Sequence, residues 1–200
     1  GFTTTASAES FTIDNGATLE VNGGSLVVTN IYGQNTIKGG YDPAVTSTVK
    51  VTGGFLGLYT YDVGTGATTD SLRLGERGRL VMTGGKTAIY NKHGNNQNWN
   101  WSFRMLGSEI DLSGTAELDI ATSGAPNPMF GNGRVKATGN ALLTSGPSSS
   151  ARIIWTPHAA SGTLDVEFTD QSVLDFSNKN TVFIGGFYKD SLARVKLSGQ

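Results

Sequence analysis

One short string recurs along the whole chain. Thr18-Leu19-Glu20-Val21-Asn22-Gly23 returns, with small changes, at Thr48 to Gly53, Arg79 to Gly84, Glu109 to Gly114, Arg134 to Gly139, Thr163 to Phe168 and Arg194 to Gly199. The second positions are Leu19, Val49, Leu80, Ile110, Val135, Leu164 and Val195, separated by 30, 31, 30, 25, 29 and 31 residues. A period of about thirty residues that also carries strand alternation predicts stacked coils rather than a globular centre.

The alternation sets directions, because successive side chains of a strand face opposite sides. With Leu19 and Val21 inside, one inward column reads Leu19, Val49, Leu80, Ile110, Val135, Leu164, Val195, and a second reads Val21, Val51, Met82, Leu112, Ala137, Val166, Leu197. The outward column between them is Glu20, Lys50, Val81, Asp111, Lys136, Asp165, Lys196, whose charges mostly alternate in sign. Opposite charges on neighbouring strands attract, so this ordering suits a parallel stack. Six of the seven copies then place Gly at a corner, where a backbone with positive φ is needed. Hairpins of an antiparallel sandwich would not by themselves give this period or columns of one chemistry. The third copy shows the coil most compactly: Leu72 and Leu74, a turn at Gly75 to Gly78, Leu80 and Met82, a turn at Gly84-Gly85, then Ala88 to Tyr90. Each coil is therefore three short strands and three corners.

Composition agrees. Gly occupies 28 of 200 positions, about twice the usual share of roughly 7 percent, which suits tight corners and opposes helix. The net charge of −1 gives no general attraction to nucleic acid or to an anionic membrane, and no apolar run is long enough for a spanning helix. The absence of Cys removes disulfides and thiolate metal sites. Residues 1–10 read as a lead-in segment or linker. Residues 11–200 read as a single solenoid domain whose last coil stops after Val195, Leu197 and Gly199, so a segment of a longer solenoid is expected.

The strings ATLEVNGGSLVV, STVKVTGGFLGL, GRLVMTGGKTAI and SEIDLSGTAELDI resemble the repeats of the right-handed parallel β-helix of the pectin-lyase-like kind. Within that group they are most similar to bacterial autotransporter passengers and related surface adhesins. The resemblance covers about residues 11–200. It implies an all-β, right-handed parallel β-helix of roughly six to seven coils, located outside the cell or on a bacterial cell surface.

Strands and tight corners are scaffold in such a fold, and variable corners carry recognition. Two corners take the insertions: Tyr59 to Asp70, Asn91 to Asn100, Ala121 to Pro128 and Ser145 to Ser150 at one, and Lys38 to Ser47, Trp155 to Ser161 and Gly185 to Ser191 at the other. The stretch Asn91 to Trp101 is the most distinctive. Amide side chains both donate and accept, and indole faces stack on apolar sugar faces. Tyr61, His93, Asn95, Asn96 and Trp99 are the candidate ligand contacts, whereas Trp101 alternates with Phe103 and Met105 and is expected to face inward.

No catalytic constellation emerges. His93 and His158 lie two coils apart, and the isolated acids Asp14, Asp62, Asp70 and Asp170 suit turn capping. Asp165, Glu167 and Asp170 form one acidic cluster, which reads as a solvated face. No cofactor and no metal site is expected. The expected role is an extracellular structural or adhesin-type solenoid segment that displays variable loops, without catalysis in this chain. A carbohydrate-binding module built on residues 91–101 is the second reading. A non-catalytic part of a polysaccharide-degrading enzyme (lyase or glycoside hydrolase) or of a phage tailspike is the third. The expected partners are a glycan or a host or cell-surface protein, with end-to-end or lateral self-association of coils, and neither nucleic acid nor membrane insertion.

Overall fold

The computed structural model describes residues 3–8, 11–30, 35–40, 42–62, 71–93, 103–123, 129–145, 152–155, 157, 162–177, 181–185 and 190–199. They form an all-β parallel solenoid, with no helix among the described residues. A 12-stranded sheet bends over a corner into two faces, and a 7-stranded sheet supplies the third. The first face stacks the leading parts of β3 (Thr18–Asn30) and β5 (Ser47–Asp62), then β7 (Gly78–Met82), β10 (Ser108–Leu112), β13 (Gly133–Ala137), β16 (Thr163–Asp170) and β19 (Leu192–Gly199). The second stacks β1 (Thr3–Ala8), the trailing parts of β3 and β5, β8 (Lys86–His93), β11 (Glu117–Ser123), β14 (Leu142–Thr144) and β17 (Val173–Asp175). The third stacks β2 (Phe11–Ile13), β4 (Asn35–Ile37), β6 (Leu72–Leu74), β9 (Phe103–Met105), β12 (Met129–Phe130), β15 (Arg152–Trp155) and β18 (Thr181–Ile184). Thr3–Ala8, expected as lead-in, joins the stack through β1 and β3.

About four turns are traced without a break, at residues 11–30, 71–93, 103–123 and 129–145, against the six to seven coils expected from repeat counting. The others contribute strands to the sheets, but their connections pass through residues outside the description.

The core is the set of inward columns. Val49, Val51, Leu80, Met82, Ile110, Leu112, Val135 and Ala137 of the first face are buried. They meet Leu56, Leu58, Ile89, Leu118, Ile120 and Leu143 of the second face and Ile37, Leu72, Leu74, Phe103 and Met105 of the third. An aromatic row continues along the axis. Ring centroids lie 5.1 Å apart for Phe103–Phe130, 5.1 Å for Phe130–Trp155 and 6.0 Å for Trp155–Phe176. Trp155, read from sequence as the start of an insertion, instead ends β15 and is 1 % exposed.

One register differs from the sequence columns. Val135 pairs with Val166 and Ala137 with Phe168, two residues further along than the repeated string implies. Because side chains alternate with period two, this slip leaves every inward residue inward. Its cause is the corner. Aligning the strings would put Phe168 where Gly23, Gly114 and Gly139 bend with positive φ, a conformation that a bulky residue resists. The slip puts Phe168 beside the small Ala137 and moves Asp170 into the corner, opposite Gly199, at φ 60°. Asp tolerates that conformation better than most residues, and its Oδ2 accepts the Gly139 N–H at 3.1 Å. Asp170 thus fills the place that Gly occupies elsewhere.

The corrected register completes the outer electrostatics of the first face. The inner ladder becomes Glu20, Lys50, Val81, Asp111, Lys136, Glu167, Lys196, and a second ladder beside it reads Arg79, Glu109, Arg134, Asp165, Arg194. Lys50 Nζ lies 3.2 Å from Glu20, Lys196 Nζ 2.7 Å from Glu167, and Arg194 3.2 Å from Asp165. Arg134 reaches both Glu109 and Asp111 at 3.2 Å, and Arg79 reaches the same two acids. These pairs are largely exposed, so each contributes at most about 1 kcal/mol, but together they penalise other registers. Asp165, Glu167 and Asp170, the acidic cluster of the sequence, are therefore each engaged by a cation or a backbone N–H.

Candidate functional site

The corner between the first and second faces is a tight glycine turn. Gly54 and Gly85 have φ 75° and 72° there, and a Cβ on Gly54 would lie 2.4 Å from the Gly24 carbonyl oxygen. Corners packed this closely on the coil below have no room for a ligand. The other two corners absorb the differences in coil length.

Of the expected contacts, Asn95, Asn96 and Trp99 lie outside the described residues, as do Asn98, Trp101 and His158. Tyr61 and His93 are located by backbone pairing. Tyr61 stands opposite Lys92 and Asp62 opposite His93, at the ends of β5 and β8. The stretch from residue 94 therefore leaves from the same corner as the stretch from residue 63.

The strands that lead to this corner carry an aromatic strip on their outer surface. Leu56 and Leu58 are buried, so Phe55, Gly57 and Tyr59 face outward on β5, and Lys86, Ala88 and Tyr90 face outward on β8. Gly57 pairs with Ala88, and both are covered by their neighbours. A Cβ on Gly57 would sit 3.0 Å from Tyr59 Cζ and 3.1 Å from Phe55 Cε1, so both rings fold over the glycine from either side. Tyr59 and Tyr90 meet edge to face, with centroids 6.0 Å apart and planes at 84°. All three rings are half-buried.

Charged groups border the strip. Lys86 Nζ lies 2.6 Å from Glu117 Oε1 and 3.5 Å from Asp119 Oδ2. The hydrogen bond to Glu117 raises the Lys86 pKa, keeping the ammonium charged. Asp119 stands opposite Ala88, diagonal to Tyr90, and its Oδ1 is buried without a hydrogen-bond partner among the described residues. An acceptor left open this way is costly unless something donates to it. The surface thus offers aromatic rings beside an ion-paired ammonium within two strand spacings. Sugars are bound by this mixture, through C–H faces on rings and hydroxyls on charged groups.

Of this region, Tyr61 is named from sequence as a candidate contact, and Phe55, Tyr59, Lys86, Tyr90 and Asp119 are not singled out. The signal was present for Phe55, Tyr90 and Asp119, since each is next to an inward aliphatic residue. Comparison with protein-family models, curated proteins and solved structures finds no match for this chain.

Proposed function

We propose that this chain is a non-catalytic display segment of the adhesin type, working outside the cell, as its likeness to autotransporter passengers and other pectin-lyase-like β-helices implies. The supporting observation is how chain length is distributed around the coil. The first-to-second corner is always short, while the second-to-third corner runs from the two residues between β1 and β2 and the four between β3 and β4 to the nine between β5 and β6 and the nine between β8 and β9. The stacked strands set a fixed spacing along the rod, and the variable corners meet a partner, a glycan or a cell-surface protein. Loop closure costs only about 0.6 kcal/mol per doubling of length, so such corners can vary without loss of the rod. Replacing residues 94–102 by the five-residue connection 124–128 should leave unfolding within about 1 kcal/mol of wild type while abolishing adhesion to target cells. Collapse of the fold, or unchanged adhesion, would contradict this reading.

The aromatic strip supports carbohydrate as the partner class. On a glycan array the wild-type chain should retain a defined set of sugars, and Tyr59→Ala and Tyr90→Ala should weaken retention about tenfold, the scale of one aromatic contact. A wild-type chain that retains no glycan would rule carbohydrate out.

A further inference from the structure

A second concave surface lies at the corner between the third and first faces, away from the aromatic strip. Three successive connections stack there: Lys38 to Gly40 after β4, Gly75 to Arg77 between β6 and β7, and Leu106-Gly107 between β9 and β10. Backbone hydrogen bonds lock them together, with Gly75 N–H on the Ile37 oxygen at 2.8 Å, Gly39 N–H on the Glu76 oxygen at 2.8 Å and Arg77 N–H on the Gly107 oxygen at 2.9 Å. They border an open cavity of about 490 Å³ whose lining includes Thr36, Lys38, Arg73, Glu76 and Arg77. That volume lies within the usual range for small-ligand pockets.

The cavity is cationic in an unusual way. Lys50, Arg79, Lys86, Arg134, Arg194 and Lys196 each reach a carboxylate within 4 Å. Lys38 and Arg77 have no ion pair among the described residues, although Glu76 shares the cavity with them. Arg73 stands directly opposite Arg104 on the next strand, a like-charge pairing absent from the ladders of the first face. Arg73 and Arg104 also engage other groups, so within this cavity Lys38 and Arg77 are the cations with capacity to spare.

Arg77 is held deliberately. Its backbone has φ 57°, a left-handed conformation that costs a non-glycine residue energy. Its Nη2 donates to the Gly40 carbonyl. A Cβ on Gly39 would lie 2.7 Å from Arg77 Cβ and 2.9 Å from Arg77 Nε, so only glycine there leaves the side chain its place. Nε is buried without a hydrogen-bond partner among the described residues, closed to a ligand, so any donor to one lies on the guanidinium's terminal nitrogens. A guanidinium positioned rigidly and paired with no carboxylate among the described residues, with an ammonium in the same cavity also without an ion pair, is an arrangement for an oxyanion.

We propose that this cavity binds the carboxylate or sulfate group of an acidic saccharide, with Arg77 and Lys38 as its charged donors and the Thr36 hydroxyl as a third. The site is independent of the aromatic strip, so either can fail without the other. Isothermal titration of the full chain with D-glucuronate, inorganic sulfate and D-glucose tests it. Glucuronate should bind and glucose should not. Displacement of glucuronate by sulfate assigns general oxyanion recognition, and its absence assigns carboxylate recognition. Arg77→Gly suits the left-handed backbone and should keep the thermal midpoint while weakening glucuronate about tenfold or more; Lys38→Gln should do likewise. Glucose binding equal to glucuronate, no heat with either anion, or wild-type affinity in both variants would overturn the proposal.

Discussion

Trp155 offers a substitution whose outcome depends on one atom. The indole is 1 % exposed and lies between Phe130 and Phe176, yet its Nε1 has no hydrogen-bond partner among the described residues. Truncation to Ala should cost about 3–5 kcal/mol, the usual range for a buried aromatic side chain. Phe is different. It keeps a ring in the row and removes two to three carbon equivalents, a loss of roughly 1.5–2.5 kcal/mol at about 0.8 kcal/mol per buried methylene. It also deletes a buried unpaired donor, which returns about 1–3 kcal/mol. The two nearly cancel, so Trp155→Phe should lie within about 1 kcal/mol of wild type, or a few degrees in midpoint for a chain of this size. Urea unfolding followed by far-UV circular dichroism measures both variants, with comparable m-values as the check that the same surface unfolds. If Trp155→Phe costs as much as Trp155→Ala, the indole N–H is bonded and the reasoning fails.

Further expectations concern the corners and the ladders. Gly133 has φ 127°, and a Cβ there would sit 1.9 Å from the Ser108 oxygen and 2.6 Å from Met105 Cε. Gly139, at φ 67°, would place its Cβ 3.2 Å or more from any neighbour. Gly133→Ala should therefore cost about 3 kcal/mol or more and Gly139→Ala about 1–2 kcal/mol, measured in the same urea titration. The hydrogen bond from Lys196 lowers the Glu167 pKa. A carboxylate with a depressed folded-state pKa contributes stability that is present above its unfolded value and lost as pH falls through the folded one. Acid titration of thermal stability below about pH 4.5 should show a shallower decline in Glu167→Gln than in wild type.

The solenoid could be read in the sequence because each coil repeats one physical demand: two aliphatic residues inward, an ion-pairing residue between them, glycine at the bend. The sixth copy of the string misleads because it resembles its neighbours at Thr163, while the bend that fixes register is made by Asp170, a residue the glycine pattern does not recognise. Nothing in the sequence penalised the error, since a slip by two keeps Leu164, Val166 and Phe168 all inward. The aromatic strip was legible from the alternation Phe55-Leu56-Gly57-Leu58-Tyr59. The cationic cavity was not. Lys38, Arg73 and Arg77 are brought together by stacking alone, and the left-handed backbone of Arg77 has no mark in the string Gly75-Glu76-Arg77-Gly78.

The most direct test of the parallel stack and its register is cross-linking between neighbouring coils, in a chain with no native cysteine. Lys136 lies opposite Glu167, whereas the repeated string would place it opposite Asp165. Residues directly opposite have Cβ atoms about 4.5–5.5 Å apart and diagonal neighbours sit at about 7–8 Å, so the first pair approaches disulfide geometry and the second lies beyond it. Under mild oxidation, Lys136→Cys with Glu167→Cys should close a disulfide rapidly without loss of stability, and Lys136→Cys with Asp165→Cys should remain reduced. Efficient closure of the second pair and not the first would contradict the register, and closure of neither would contradict the stack.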